Sequence, residues 1–124
     1  MDHEFLVFVY GSLKRGQSNH DLLAQAEFLS HCQTQPQFAL FDLGDYPALV
    51  RDAAAPQAIA GELYRASAAL LARLDRLEDN GRLYQRELLL VRSVDDDRSW
   101  QAWAYLYLGQ LENSRRWPLA SWPA

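Results

Sequence analysis

The chain carries one cysteine, Cys32, so it can form no internal disulfide and no cysteine-rich metal site. No apolar run approaches the roughly 20 residues that a bilayer-crossing helix requires. There is no basic excess either. Twelve Lys+Arg stand against 16 Asp+Glu, a net charge of −4, which argues against a binder that tracks nucleic-acid phosphates. The opening stretch MDHEFLVFVYGS puts acidic residues ahead of a short apolar run and lacks the basic leader of a secretory signal. These absences predict a cytoplasmic protein with no nucleic acid and no membrane among its partners. Known phosphate loops are missing as well: no GK[ST] follows Gly11, and GxGxxG does not occur. No spacing of His, Cys, Asp and Glu fits a metal site. The histidines form no catalytic set, with His3 near the terminus, His20 placed at the start of a helix and His31 in a polar loop.

What is present supports a core. The 124 residues are 49% apolar, enough for one folded domain, and no repeat, low-complexity tract or linker divides them. A single domain over 1–124 is expected. Phe5 to Tyr10 is β-branched and aromatic on both faces and reads as a buried strand. A helix is predicted from Asn19 to Leu29, with Leu22, Leu23, Ala26 and Leu29 at helical spacing and Ser18 or Asn19 as cap. Gln37 to Leu43 and Ala48 to Val50 read as strands around the turn Gly44-Asp45-Tyr46-Pro47. Ile59 to Arg65 is a further strand, and Tyr84–Val94 and Ser99–Leu108 pair across the turn Asp95-Asp96-Asp97. In the last strand Trp103, Tyr105 and Tyr107 share one face. The pattern is α+β: a mixed or antiparallel sheet curled toward a barrel, with two helices packed outside. Trp117 and Trp122 sit among prolines in the tail and pack over the body, or form a dimer contact.

One residue breaks its local pattern. Ser67 to Asp79 reads as an amphipathic helix with Leu70, Leu71, Leu74 and Leu77 as its apolar stripe, ended by Asn80-Gly81. At 100° per residue, Glu78 projects between Leu71 and Leu74, inside that stripe. It is either an end-of-helix residue whose head reaches water, or a carboxylate in a cavity of low polarity. In the second case burial raises its pKa and suits it to proton transfer near neutral pH. Asp75, at the edge of the stripe, is expected to face solvent and pair with Arg73, Arg76 or Arg82.

Four further groups bear on chemistry. Tyr10-Gly11-Ser12-Leu13 ends the first strand; it is a plain turn, or its successive N–H groups form a nest for a carboxylate. Tyr84 and Arg86 project from one sheet face that also carries Leu88 and Leu90, and Arg86 there needs a carboxylate or carbonyl partner, from structure or from ligand. A Ser12–His20 nucleophile pair lacks the G-x-S-x-G elbow and an orienting acid. Cys32 beside His31 has poor geometry for a thiolate–imidazole pair and reads as a plain cysteine.

Taken in order, Phe8-Val9-Tyr10-Gly11-Ser12-Leu13-Lys14-Arg15-Gly16, the Tyr46-Pro47 turn, Gly61-Glu62-Leu63-Tyr64, Leu74-Asp75 to Glu78, and Tyr84-Gln85-Arg86 resemble the γ-glutamylcyclotransferase-like superfamily. The YGSL form looks more like its γ-glutamylamine cyclotransferase branch. The resemblance implies a small mixed β-barrel with flanking helices and a cavity in which the YGSL backbone holds a substrate α-carboxylate. It implies that Glu78 is the acid/base and that Tyr10, Gly11, Ser12, Leu13, Tyr46, Tyr84 and Tyr105 contact the substrate, with Arg86 bracing the structure. The implied reaction converts a γ-glutamyl amide to 5-oxoproline and a free amine, with no cofactor. The sequence departs from the pattern in having Asp79 rather than glycine directly after the glutamate. Two other classes remain open: a non-catalytic small-metabolite binding protein on the same scaffold, and a protein-interaction domain presenting Trp117 and Trp122.

Overall fold

Side-chain alternation along the first strand sets the architecture. In the computed structural model, which describes residues 4–111 and 114–123, β1 (Glu4–Val9) buries both faces. Phe8, followed by Tyr10, enters one hydrophobic cluster, while Val7 and Val9 enter another. His3 lies outside the described residues.

A closed barrel runs in the order β1, β5 (Ala60–Ser67), β2 (Glu27–Thr34), β6 (Tyr84–Ser93) and β7 (Ser99–Tyr107). Its ladders are antiparallel except at the closing seam, where Val7 pairs with Trp103 in parallel. Closure removes the exposed sheet edges that invite aggregation. A smaller sheet in the order β4 (Pro47–Arg51), β3 (Phe38–Asp42) and β8 (Arg115–Arg116) packs beside it. Leu40 and Leu49 of that sheet share a core with Phe8, Leu63, Val91 and Ala104 of the barrel. This is the expected α+β class with a small mixed barrel.

Gly61 is required where β5 crosses β1. A Cβ there would lie 2.4 Å from the Val9 carbonyl oxygen and 2.6 Å from the Phe8 ring.

The helix α1 (Ala68–Leu77) begins as expected, with Ser67 Oγ accepting a hydrogen bond from the Leu70 N–H at 3.1 Å. Its Leu70, Leu71 and Leu74 pack against Val7, Val9 and Tyr64. Leu74 is wholly buried, so truncation to alanine would cost about 2–5 kcal/mol. The end differs in detail from expectation. The left-handed residues are Asp79 (φ 49°) and Gly81 (φ 93°), not Asn80. Asn80 instead accepts the Arg86 N–H through its side-chain oxygen at 2.8 Å.

The helix predicted over Asn19–Leu29 does not form. His20–Leu23 is a single 3-10 turn, and β2 starts at Glu27. Helical spacing at Leu22, Leu23 and Ala26 reflects burial of a loop against α1 and β5, with Leu23 buried in the same cluster as Leu71. From Ser30 onward the period is 2: Ser30, Cys32 and Thr34 are buried, and His31 and Gln33 exposed. Small polar residues pointing inward disguise this strand. Consequently His31 lies on a strand rather than in a loop, and one α-helix is found among the described residues rather than two. Cys32 is a buried core residue.

The tail packs over the body, as anticipated. Trp122 is buried, its ring centroid 4.5 Å from that of Trp117. The Trp117 N–H donates to the Leu40 carbonyl at 2.8 Å, and β8 pairs Arg116 with Phe41.

Candidate active site

A cavity of about 140 Å³ opens where the end of β1, the β3–β4 turn and the end of α1 converge. The site residues named from sequence all line it: Tyr10, Gly11, Ser12, Leu13, Tyr46, Glu78, Tyr84 and Tyr105. They come from distant stretches of chain, so the fold rather than local sequence brings them together.

Glu78 is the residue after α1, and its N–H still donates to the Leu74 carbonyl at 2.9 Å. The helix therefore carries the side chain to the cavity wall. Its carboxylate is half-buried and accepts no hydrogen bond and no ion pair from any described residue. Burial without compensation pushes its pKa from 4.5 up to about 7. The group is thus poised to exchange a proton at neutral pH, as the cavity reading of Glu78 requires.

The loop opposite is built to present backbone. Gly11 and Leu13 are buried, and the N–H groups of Gly11, Ser12 and Leu13 donate to no acceptor among the described residues. Free N–H groups in a turn favour an anion. A Cβ on Gly11 would sit 2.9 Å from both Cδ and Cγ of Pro47, so only glycine lets this loop approach the β3–β4 turn. The Ser12 Oγ accepts from Asn19 Nδ2 at 2.9 Å, and His20 Nδ1 lies 2.9 Å from the Leu13 carbonyl. Both groups of the hypothetical Ser12–His20 pair are engaged elsewhere, so that pair does not assemble.

The three buried tyrosines form a rigid wall. Tyr10 donates to the Tyr105 carbonyl, Tyr84 to the Pro47 carbonyl at 2.9 Å, and Tyr105 to Asp75 Oδ1 at 2.6 Å. Burial raises all three phenol pKa values, with the nearby Glu78 adding to each rise, so they remain neutral donors. Tyr46, on the turn, is exposed at the rim.

Asp75 is corrected by the structure. It is half-buried rather than solvent-facing, and its partner is Arg86, at 2.9 Å from Nε and 3.2 Å from Nη2, not Arg73, Arg76 or Arg82. The Arg86 guanidinium also lies over the Trp103 ring, 4.3 Å from its centroid. Arg86 therefore braces α1 against the sheet. The same face of β6 continues to Leu88 and Leu90, both exposed.

Glu62 belongs to the Gly61-Glu62-Leu63-Tyr64 motif, which by itself assigns it no task. It is buried on β5, where its Oε1 accepts the Arg15 N–H and the Tyr64 hydroxyl, each at 3.0 Å. The bond to Arg15 ties the stretch just after Leu13 to the barrel. Burial, reinforced by the Glu62 bond, pushes the Tyr64 phenol up to about 12. A signal for this role exists in the sequence: Glu62 and Tyr64 alternate on one face of a predicted strand, and a carboxylate there needs donors.

With this geometry in place, comparison with known proteins identifies the family. The profile of "Gamma-glutamyl cyclotransferase, AIG2-like" matches residues 7–124, so the chain belongs to that family. A Vibrio cholerae protein provisionally named a gamma-glutamylcyclotransferase is 39% identical over 104 residues, 84% of this chain and 83% of its own. The Homo sapiens gamma-glutamylaminecyclotransferase is 36% identical over 98 residues, 73% of this chain and 64% of its own. The crystal structure of an AIG2-like protein from Mus musculus superposes with a TM-score of 0.79 at 30% identity, covering 90% of this chain and 82% of that one.

Proposed function

We propose that the protein is a γ-glutamyl amide cyclotransferase that releases 5-oxoproline and a free amine without a cofactor. One observation carries this reading. A partnerless carboxylate with a pKa near 7, Glu78, shares a cavity with the unengaged N–H groups of Gly11, Ser12 and Leu13. The name of the human relative fits the same substrate class.

In this reading the substrate's α-carboxylate sits on the Gly11–Leu13 N–H groups. Its α-amino group, an ammonium in water, gives a proton to the Glu78 carboxylate and becomes a nucleophile. The nitrogen lone pair attacks the substrate's own γ-carbonyl carbon, forming a C–N bond and closing a five-membered ring. The bond from that carbon to the leaving nitrogen then breaks as Glu78 returns its proton to that nitrogen, and the second proton shed by the ring nitrogen as it becomes a lactam N–H is taken up by the freed amine, which leaves as an ammonium. Atoms balance without water, oxidant or metal. The walls formed by Tyr10, Tyr84 and Tyr105 hold the flexible glutamyl chain folded for attack, which supplies part of the rate. No enzyme nucleophile is needed, consistent with the disassembled Ser12–His20 pair.

The test is release of 5-oxoproline from a panel of γ-glutamyl amides by wild type and Glu78→Gln. The variant keeps the shape and loses the proton acceptor. It should retain binding and lose turnover by at least about a thousandfold. Equal release by both proteins would exclude the mechanism, and binding without release by wild type would favour a non-catalytic metabolite-binding role.

A further inference from the structure

The glutamyl end and the leaving end of the cavity differ in chemistry. The inner end carries the N–H groups of buried Gly11 and Leu13. The outer end is made by Tyr46, Leu77 and Leu83, which are 44%, 41% and 37% exposed and also line the cavity. These come from three separate segments: the β3–β4 turn, the last residue of α1 and the loop before β6. Large apolar side chains left in water and gathered at one opening form a surface that an apolar group would cover.

Charge at that opening is equally informative. Glu78 is the single ionisable carboxylate or base in the lining, and no lysine or arginine contributes to it. The charged residues that flank the rim in sequence, Asp45, Arg76, Asp79 and Arg82, all stand outside the cavity lining, and Asp79 and Arg82 approach each other at 3.9 Å. A leaving group ending in a carboxylate would therefore find no cation in the lining. One ending in an ammonium would find no carboxylate other than Glu78, which is needed for proton transfer.

We infer that Tyr46, Leu77 and Leu83 form a leaving-group subsite that selects γ-glutamyl amides of uncharged alkyl or aryl amines over those of amino acids and diamines. The inference rests on the cyclotransferase reading above and adds the substrate class. The glutamyl part is held inside, the reacting carbon lies near Glu78, and the chain of the amine lies across the apolar rim. Once released, the amine takes up a proton and becomes a cation, which an apolar rim does not retain.

The experiment compares kcat/KM, read as 5-oxoproline release, for four substrates. These are the γ-glutamyl amides of methylamine, n-pentylamine, 1,4-diaminobutane and 5-aminopentanoate. The pentyl amide should exceed the methyl amide by about tenfold, because partial burial of four methylenes favours it. It should also exceed the ammonium-ended and carboxylate-ended analogues by at least about tenfold. In Leu77→Gln and Leu83→Gln the pentyl-to-methyl ratio should fall by several fold. A ratio measured within one variant is independent of how much of it is folded. Preference for either charged analogue, or a ratio untouched by both substitutions, overturns the subsite. If wild type turns over none of the four, nor any other γ-glutamyl amide, the cyclotransferase reading itself fails and this inference falls with it.

Discussion

The Tyr105 hydroxyl donates to Asp75 Oδ1 at 2.6 Å, one helical turn before Glu78. That bond joins the last strand of the barrel to the helix that delivers the candidate proton carrier. Arg86 completes the join from the neighbouring strand, its Nε 2.9 Å from the same oxygen. The aspartate thus takes up the one arginine beside it, and Glu78 is left with no described cation as partner.

Asp75→Asn removes the charge and keeps the shape. The pair is 21% and 24% exposed, so it is neither fully screened nor fully dry. The variant should lose about 1–3 kcal/mol of stability in urea unfolding. Arg86→Gln should cost a similar amount. The double variant should cost less than the sum, because both act in one contact. Strict additivity would mean that the pair does not stabilise the helix end.

The activity should follow the protonation of Glu78. In the ligand-free protein burial pushes its carboxyl up to about 7. In the proposed mechanism the carboxylate is the form that accepts the substrate proton, so kcat/KM should rise roughly tenfold per unit below pH 7 and level off above it. Profiles with two γ-glutamyl amides that differ only in the leaving amine should share this acid limb. A limb centred near 4.5 would show that burial does not raise this group.

Stability should run the other way. Glu78 holds its proton more tightly folded, near 7, than unfolded, near 4.5. Between those values the folded state binds more protons, so this group's contribution falls as pH rises, and above about 7 it stays at its least favourable. Glu78→Gln has no such penalty. The variant should gain on wild type between pH 5 and pH 8 by about 2–3 kcal/mol, measured from paired denaturation curves. A carboxylate kept for chemistry at the expense of stability produces this crossing; an innocuous surface glutamate would leave the two curves parallel.

Much of this architecture is legible in the sequence. Glu78 stands out because it interrupts a leucine stripe, and the strand Glu4–Val9 declares itself through aromatic and β-branched content. Strand β2 does not, because its inward residues are Ser30, Cys32 and Thr34, whose burial depends on partners in other strands. Ser30 Oγ meets Ser93 Oγ at 2.9 Å, a contact across 63 positions of chain. Leu22, Leu23 and Ala26 supply a helical period that tertiary packing overrides. The Asp75 partner escapes a sequence reading for the same reason: local spacing favours arginines on the same helix, while Arg86 reaches it from a strand. Contacts set by the closed barrel leave little trace in a window of neighbouring residues.

The loop that carries the N–H groups has its own support in Glu62. Glu62→Ala leaves the Arg15 N–H and the buried Tyr64 hydroxyl without their acceptor. Stability should drop by about 2–4 kcal/mol. In the proposed mechanism this loop holds the substrate α-carboxylate, so KM for a γ-glutamyl amide should rise more than kcat falls. Glu62→Gln keeps an oxygen in place to accept both bonds and should recover most of the KM. If glutamine behaves like alanine, the charge rather than the hydrogen bonds is what Glu62 supplies.

Gly11→Ala tests the close approach itself. The new methyl would fall 2.9 Å from two Pro47 ring carbons, so either the loop or the β3–β4 turn must move. Shifts of a few tenths of an ångström there displace the Ser12 and Leu13 N–H groups relative to Glu78. Misplacement on this scale should lower kcat/KM by about 10- to 100-fold. The fold should survive, because Gly11 lies beyond the end of β1 and the barrel ladders are untouched. A thermal midpoint within a few degrees of wild type, together with that loss of activity, would locate the effect in the loop. Full activity in the alanine variant would show that the N–H groups need no such precision, and the assignment of the α-carboxylate to this loop would have to be given up.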